Sequence, residues 1–336
     1  MSELNRIALK IISNGKGILA ADESNGTMTK RLEAVNIPST PENRLLFRET
    51  LFSSKCMKEY IGGVILYDET IKQTTSFGVS IPDLISSSGA IPGIKVDTGT
   101  KDLANSTEEK ITEGLDGLRE RLKKYYALGA RFTKWRAVYN ISEKFPSKIA
   151  INSNAHALAR YATLVQESKM VPIVEPEVLM DGNHSADSCL RKTSEVIKRC
   201  FDELILNKVD LSGIILKPNM ILAGNQSNNI ISNEEVSLKT LECLKDSVPD
   251  EVPGIAFLSG GQSEIEATEN LNLININNDT KFIMTYSYGR ALQQSALKIW
   301  SKNTKDKKAT QNTFNHRAKM CSLAAKGKWL NELEDK

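Results

Sequence analysis

Residues 171–177 read Val-Pro-Ile-Val-Glu-Pro-Glu, an apolar run of strand length that ends in two carboxylates. Seven other runs have the same form, and most of them are rich in the β-branched or aromatic residues that favour strands. These runs cover residues 17–22, 61–68, 91–97, 131–138, 213–217, 254–259 and 282–287. The segments between them show the periodicity of amphipathic helices, most clearly over residues 41–52, 154–169, 186–207 and 234–245.

The alternation of eight strands with helices predicts an α/β protein with a parallel sheet. Because the strands are spread evenly along the chain, the pattern favours a (β/α)8 barrel, the TIM-barrel architecture, over a doubly wound sheet with an extra domain. We expect residues 1–300 to form this barrel as a single domain. Residues 301–336 are rich in lysine, and they predict a C-terminal surface tail that is partly helical and partly mobile.

The composition is that of an ordinary globular protein. Of the 336 residues, 40% are hydrophobic and 25% are charged, which excludes a disordered or collagen-like chain. No apolar run approaches the roughly 20 residues of a membrane-spanning helix. The net charge of +3 is too small to indicate nucleic-acid binding. We therefore expect no membrane insertion and no nucleic-acid partner.

Cysteine and histidine give no sign of a metal site or a disulfide framework. The five cysteines are scattered without a C-x-x-C pair, and His156, His184 and His316 are isolated from one another. No P-loop is found, and no G-x-G-x-x-G motif follows a strand. The first residues lack the basic segment and apolar core of a signal peptide. We therefore predict no metal, no cofactor and a cytoplasmic location.

Polar side chains end most of the predicted strands. In a parallel barrel these ends meet at one face, where the active sites of barrel enzymes lie. Residues two apart on a strand face the same way, so two charged residues at one strand end can share a side. Because unpaired buried charges are costly, the charged groups at these ends must compensate one another. The polar residues at the strand ends are Asp22, Asp68, Lys95, Asp97, Lys134, Arg136, Glu175, Glu177, Lys217, Ser259 and Ser287.

Lys217 is the clearest candidate for chemistry because it ends the apolar strand Gly-Ile-Ile-Leu-Lys and is followed by Pro218. Burial, or a second cation such as Lys134, would favour the neutral amine, and the neutral amine attacks ketones to form a Schiff base. The alternative is a structural lysine whose charge lies in an ion pair at the strand end.

Two consecutive loops carry glycine after the last two strands. Residues 259–263 read Ser-Gly-Gly-Gln-Ser, and residues 287–290 read Ser-Tyr-Gly-Arg. Barrels commonly bind phosphate at these loops through backbone N–H groups and a helix N-terminus. Arg290 adds a guanidinium suited to phosphate oxygens. The alternative is a pair of ordinary turns.

Seven stretches of the chain, in order and up to about Trp300, resemble the class I, Schiff-base-forming fructose-bisphosphate aldolases. The stretch at 171–177 is one of them. The others are 15–24 (Gly-Lys-Gly-Ile-Leu-Ala-Ala-Asp-Glu-Ser), 91–97 (Ile-Pro-Gly-Ile-Lys-Val-Asp), 132–136 (Phe-Thr-Lys-Trp-Arg), 216–220 (Leu-Lys-Pro-Asn-Met), 257–263 (Phe-Leu-Ser-Gly-Gly-Gln-Ser) and 286–292 (Tyr-Ser-Tyr-Gly-Arg-Ala-Leu). The resemblance implies a (β/α)8 barrel. It also implies a glycolytic and gluconeogenic lyase that reversibly cleaves fructose 1,6-bisphosphate to dihydroxyacetone phosphate and glyceraldehyde 3-phosphate.

The resemblance also implies roles for individual residues. Lys217 forms the imine with the substrate, and Glu175 acts as acid and base in carbinolamine dehydration. Asp22 takes the hydroxyl proton as the carbon–carbon bond breaks. Lys134 and Glu177 maintain the charge balance around the imine. One substrate phosphate binds at Ser259, Gly260, Gly289 and Arg290. The residues at the other phosphate are Ser24, Thr27, Lys30, Arg31 and Lys95, with Arg136 nearby.

The chain departs from the family pattern in two places. Thr27 stands where serine is common, which keeps the hydroxyl. Family members usually end in a tyrosine that assists proton transfer at the enamine, whereas this chain ends at Lys336 without one, so either the chain is truncated or its tail has diverged.

The resemblance further implies a homotetramer. The alternative function that it implies is a scaffold protein, in which the basic groove binds actin or the acidic cytoplasmic tails of adhesins. Another Schiff-base aldolase for a different phosphosugar is an alternative enzyme. The preference between fructose 1,6-bisphosphate and fructose 1-phosphate stays open.

Overall fold

The computed structural model describes residues 2–106 and 108–335, and its core is a closed barrel of eight parallel strands. The strands of the chain are β1 (Gly17–Ala21), β2 (Ile61–Leu66), β3 (Ile91–Lys95), β4 (Gly99–Asp102), β5 (Lys110–Glu113), β6 (Phe132–Tyr139), β7 (Val171–Val178), β8 (Ile215–Leu216), β9 (Gly254–Phe257) and β10 (Ile283–Tyr288). Neighbours in the barrel follow chain order, and β1 pairs with β10 to close it. The predicted (β/α)8 barrel is confirmed. Strands β4 and β5 form a separate antiparallel hairpin that the sequence pattern did not predict.

Helices follow the barrel strands and cover the outside of the barrel. They are α1 (Glu3–Ile12), α2 (Asn25–Glu33), α3 (Pro41–Phe52), α4 (Cys56–Tyr60), α5 (Asp68–Ile71), α6 (Ile81–Ser87), α7 (Leu118–Ala127), α8 (Lys148–Glu167), α9 (Ala186–Leu206), α10 (Asn233–Ser247), α11 (Glu264–Asn277), α12 (Arg290–Lys302) and α13 (Lys307–Ala324). The helix predicted over 154–169 begins earlier, at Lys148, because the Ser147 side chain caps it by accepting a hydrogen bond from the amide of Ala150. Within residues 2–106 and 108–335, no helix has the length and apolar character that crossing a membrane would need.

Strand side chains alternate between two hydrophobic cores. On β1, Ile18 and Ala20 belong to the core inside the barrel, whereas Leu19 and Ala21 pack outward against the helices. Helix α1 contributes to the inner core through its apolar side chains, including Ile11. It therefore closes the N-terminal end of the barrel and leaves the C-terminal end as the open mouth.

The segment after α12, which we predicted as a partly helical surface tail, contains helix α13. Helix α13 buries Phe314, Ala318 and Cys321, which share one face at helical spacing. Beyond it, both guanidinium Nη atoms of Arg317 donate to the Glu334 carboxylate, at 2.7 and 2.8 Å. The lysine-rich composition of this segment gave no indication of the apolar face of α13. The predicted mobility of the chain end stays a prediction.

Close contact between α1 and β2 yields a stability prediction. A Cβ atom at Gly62 would lie 1.8 Å from the carbonyl oxygen of Ile11, which is backbone and cannot rotate away. We expect Gly62→Ala to lower the free energy of unfolding by about 2 kcal/mol or more, as overpacking does. Chemical denaturation measures this change.

Gly26→Ala is the matched control, because a Cβ at Gly26, inside α2, would meet nothing within 4 Å. Alanine is the better helix former, so this variant should be unchanged or more stable by up to about 1 kcal/mol. Equal stability of the Gly62→Ala variant and the parent would contradict the close packing of helix α1 against strand β2.

Candidate active site

The C-terminal ends of the barrel strands open into a cavity of about 920 Å³. Its floor continues the inward-facing rows of the barrel. Asp22 follows Ala20 by two residues and Glu175 follows Ile173, so the alternation of strand side chains directs both carboxylates into the barrel mouth. All the predicted site residues except Lys30 line this cavity. They are Asp22, Ser24, Thr27, Arg31, Lys95, Lys134, Arg136, Glu175, Glu177, Lys217, Ser259, Gly260, Gly289 and Arg290.

Four charged side chains meet at the floor of the cavity. The Lys217 ammonium nitrogen lies 2.9 Å from Oε1 of Glu175. The Lys134 ammonium nitrogen lies 2.7 Å from Oδ2 of Asp22 and 3.4 Å from Oε2 of Glu175. Lys134, Glu175 and Lys217 are each 4% exposed or less. Two cations and two anions therefore compensate one another where water has little access.

The cluster changes the protonation of its carboxyl groups. Burial opposes the ionisation of Asp22, but the nearby ammonium groups of Lys134 and Lys217 outweigh it and hold the Asp22 pKa at about 2. Burial likewise opposes the ionisation of Glu175, and Lys217, Lys134 and Arg136 again outweigh it, so the Glu175 pKa is lowered. Burial alone would lower the pKa of Lys134, yet Asp22 and Glu175 raise it. Both carboxylates are thus ionised at neutral pH and can accept protons.

Further ion pairs surround the cluster. Nε of Arg136 donates to Oε2 of Glu177 at 2.5 Å. The Lys95 ammonium nitrogen lies 3.3 Å from Oδ1 of Asp97 and 5.9 Å from the centre of the Tyr67 ring. The backbone amide of Arg136 donates to Oδ2 of Asp97 at 3.3 Å. Asp97 thus links two cationic residues of the cavity wall, although we predicted it only as a strand-end carboxylate and not as a site residue.

One end of the cavity is built from backbone and guanidinium groups suited to an anion. Gly260 has a positive φ of 55°, which lets the loop after β9 turn sharply. Gly289 directly precedes α12, so the N-terminus of that helix lies at the cavity wall. The Arg290 Nη2 atom lies 3.7 Å from the position that a Cβ atom on Gly261 would occupy. The Arg31 Nη2 atom lies 3.8 Å from the position that a Cβ atom on Gly289 would occupy. Arg31 therefore approaches the glycine loops rather than only the opposite end to which the resemblance assigned it.

Hydroxyl groups at the start of α2 line another part of the cavity. Ser24 caps the helix by accepting a hydrogen bond from the Thr27 amide, and the two hydroxyl oxygens lie 3.2 Å apart. Thr27 and Arg31 are four residues apart and share a helix face. Lys30 lies about 100° around the helix from Arg31. Lys30 instead lines a neighbouring pocket of about 320 Å³, to which Thr27, Arg31 and Arg290 of the cavity wall also contribute.

Several cavity residues were missed by sequence reasoning. Glu23 lines the cavity directly after Asp22, where strand alternation gave no reason to expect it. Met180 and Asn225 come from the long loops after β7 and β8, which are joined by a hydrogen bond from the Asn225 amide to the Met180 carbonyl at 2.8 Å. Loop residues carry no periodic signal, so only the folded structure brings them to the site.

The arrangement suits carbonyl chemistry on an anionic substrate. A buried amine lies beside a carboxylate that can accept and return its proton, and a second ionised carboxylate lies beside the other lysine. Guanidinium groups and helix N-termini at the cavity wall suit phosphate. Among the described residues, no group of three or more His, Cys, Asp and Glu side chains is arranged to hold a metal ion.

Comparison with known proteins assigns the chain to a family. The family model "Glycolytic: Fructose-bisphosphate aldolase class-I" matches residues 3–336. A Xylella fastidiosa protein named "Probable fructose-bisphosphate aldolase class 1" is 47% identical over 330 residues, which are 98% of this chain and 99% of that protein. The cytosolic fructose-bisphosphate aldolase 4 of Arabidopsis thaliana is 46% identical over 333 residues, which are 99% of this chain and 85% of that protein.

A solved structure is also similar to this chain throughout. It is the fructose-bisphosphate aldolase of Plasmodium falciparum in complex with TRAP and a small-molecule inhibitor. The two share 43% identity with a TM-score of 0.96, over 98% of this chain and 95% of that one. This chain therefore belongs to the class-I fructose-bisphosphate aldolase family and is an enzyme of that class, a lyase of glycolysis.

Proposed function

We propose that the chain reversibly cleaves fructose 1,6-bisphosphate to dihydroxyacetone phosphate and glyceraldehyde 3-phosphate through an imine on Lys217, without a metal or organic cofactor. The observation that carries this proposal is the 2.9 Å contact between the buried Lys217 amine and Glu175. The Asp22–Lys134 pair beside it and the anion-binding groups of the cavity wall support it further.

The first step is imine formation. Glu175 accepts a proton from the Lys217 ammonium group, and the neutral amine attacks the substrate ketone to give a carbinolamine. Glu175 then returns the proton to the carbinolamine hydroxyl, which leaves as water. The product is an iminium ion that keeps the positive charge of the original lysine, so the charge balance of the buried cluster is preserved.

The second step is carbon–carbon cleavage. The Asp22 carboxylate accepts the proton of the C4 hydroxyl, the C3–C4 bond breaks, and its electron pair moves into the iminium to form an enamine. Lys134 then faces a neutral acid at Asp22, and Glu175 lies within 3.4 Å as a second anionic partner. Transfer of the proton from Asp22 to C3 of the enamine restores the Asp22 carboxylate and gives an iminium ion, and hydrolysis of this ion by water releases dihydroxyacetone phosphate and restores the Lys217 ammonium group.

Binding of the two phosphates orients the reacting atoms. We assign one phosphate to Ser259, Gly260, Gly289 and Arg290, and we add Arg31 to this group because it approaches Gly289. The other phosphate is assigned to Ser24, Thr27 and Lys95, with Arg136 nearby and Glu177 holding the Arg136 guanidinium. Binding energy at both ends would position the bond that breaks between them.

Replacement of Lys217 tests the imine directly. We expect Lys217→Ala to lower kcat for cleavage by at least about a thousandfold, because the variant lacks the amine that attacks the ketone. A coupled assay of triose phosphate release measures this. The control is Lys198→Ala, whose amine forms an exposed ion pair with Asp246 on the outer surface. Near-normal activity of the Lys217→Ala variant would contradict a mechanism through an imine on Lys217.

Replacement of Asp22 separates the two steps. Asp22→Asn cannot accept the hydroxyl proton, so we expect cleavage to fall by about a hundredfold or more. Imine formation should persist, because Lys217 and Glu175 are unchanged, and borohydride reduction with dihydroxyacetone phosphate should still label the variant. Asp68→Asn is the control, since Asp68 also ends a predicted strand but pairs with Lys72. Loss of both labelling and cleavage in Asp22→Asn would contradict the assignment of Asp22 to the second step.

We also propose a cytoplasmic homotetramer with a second role as a scaffold for actin or acidic cytoplasmic tails. Family resemblance alone supports the tetramer. The scaffold role is supported by the apolar pocket beside the cavity, where Lys30 and Lys298 would attract an acidic segment and Leu297 would contact its apolar residues. Light scattering should give a mass of four chains. An acidic peptide should compete with the substrate, because Arg31 and Arg290 line both the pocket and the cavity. A monomeric mass, or peptide binding that leaves the substrate KM unchanged, would count against these two proposals respectively.

A further inference from the structure

Glu23 is a buried carboxylate of the cavity that the steps above do not use. It is 8% exposed and accepts hydrogen bonds from the Arg31 guanidinium and, at 3.1 Å, from the Gln293 amide. Its other carboxylate oxygen lies 3.4 Å from Nη2 of Arg48. Burial of a carboxylate costs desolvation free energy, which its contacts with two guanidinium groups must offset. Glu23 also directly follows the proposed catalytic residue Asp22.

The groups behind Glu23 are fixed. Arg48 is 1% exposed, and it donates to the Glu23 carbonyl at 2.9 Å and to the Thr70 hydroxyl at 2.7 Å. Gln293 is 2% exposed and also donates to the Ala20 carbonyl at 2.8 Å. Because Arg48 and Gln293 are each fixed by a second hydrogen bond to another group, the Glu23 carboxylate that they contact has little freedom to move.

The group in front of Glu23 faces the cavity. The Arg31 side chain is 26% exposed, and its Nη1 atom pairs with Glu23 while its Nη2 atom approaches Gly289. An arginine side chain loses considerable rotamer freedom when it is ordered. The pairing with Glu23 orders Arg31 before any substrate arrives, and the Nη2 edge remains available to an anion at the glycine loops.

We propose that Glu23 is a positioning residue that holds the Arg31 guanidinium in place for a substrate phosphate. This inference rests on the proposed function in one respect, the binding of a phosphate at the end of the cavity formed by Gly289 and Arg290. Glu23 acts through Arg31 and does not touch the reacting atoms. The competing role is purely structural, in which Glu23 only balances the buried charge of Arg48.

The two roles predict different kinetics. For Glu23→Gln we expect KM for fructose 1,6-bisphosphate, and the Kd of inorganic phosphate measured by calorimetry, to rise about three- to tenfold, because an unrestrained arginine must be ordered on binding. We expect kcat to stay within about twofold of the parent, because the imine chemistry is untouched. Glu23→Asp keeps a negative charge in this buried region, so the charge of Arg48 stays compensated, but it withdraws the carboxylate from contact with Arg31 by one methylene. It should therefore show the same rise even if Glu23→Gln folds poorly.

A double-mutant cycle with Arg31→Met decides the matter. If Glu23 acts through Arg31, adding Glu23→Asp to Arg31→Met should raise KM and the phosphate Kd no further. The matched control is Glu203→Gln, since Glu203 is also a buried carboxylate, 5% exposed, paired with a half-exposed arginine, Arg199, but on the outer helix α9. This control should leave both constants unchanged.

Unchanged KM and phosphate Kd in Glu23→Asp, or additive effects in the cycle, would overturn the positioning role. Phosphate calorimetry reads the site whether or not the enzyme turns over. If the parent protein binds phosphate but does not cleave fructose 1,6-bisphosphate, the proposed function fails while the role of Glu23 can still be measured.

Discussion

Mutual neutralisation of four charges at the barrel mouth, three of them buried, is the constraint on which the site depends. Lys217, Glu175, Lys134 and Asp22 lie within 2.7–3.4 Å of one another in successive pairs, and removal of any one would leave the total charge of the cluster unbalanced in a region of low water access. The proposed chemistry respects this constraint, because an ammonium ion is replaced by an iminium ion of equal charge. The ionised state of Asp22 and Glu175 at neutral pH follows from the same contacts.

The rest of the fold holds these charges in place. The parallel strands bring residues that are far apart in sequence to one end, and the alternation along each strand points them inward. Helix α1 fills the opposite end with apolar side chains, so the interior below the charged cluster is packed with apolar groups. Around the rim, pairs such as Arg136–Glu177 and Arg31–Glu23 order long cationic side chains that would otherwise lose entropy on binding a phosphate.

Much of this could be predicted from sequence because the signals were periodic or lay at strand ends. The eight strands and the inward direction of Lys134, Glu175 and Lys217 follow from alternation, and the residue roles came from resemblance to a family and stay predictions. Lys30 lines the neighbouring pocket rather than the cavity, and its role at a phosphate stays a prediction. The face of α13 that carries Phe314 was hidden by its lysines, and Asn225 reaches the cavity from a loop without any pattern. Such features depend on tertiary packing, which a single sequence does not display.

The most direct test of the central claim is borohydride reduction in the presence of dihydroxyacetone phosphate, followed by mass mapping of the labelled peptide. The account predicts one adduct, on Lys217. An adduct on Lys134 or any other lysine, or no adduct in a folded and phosphate-binding sample, would contradict it.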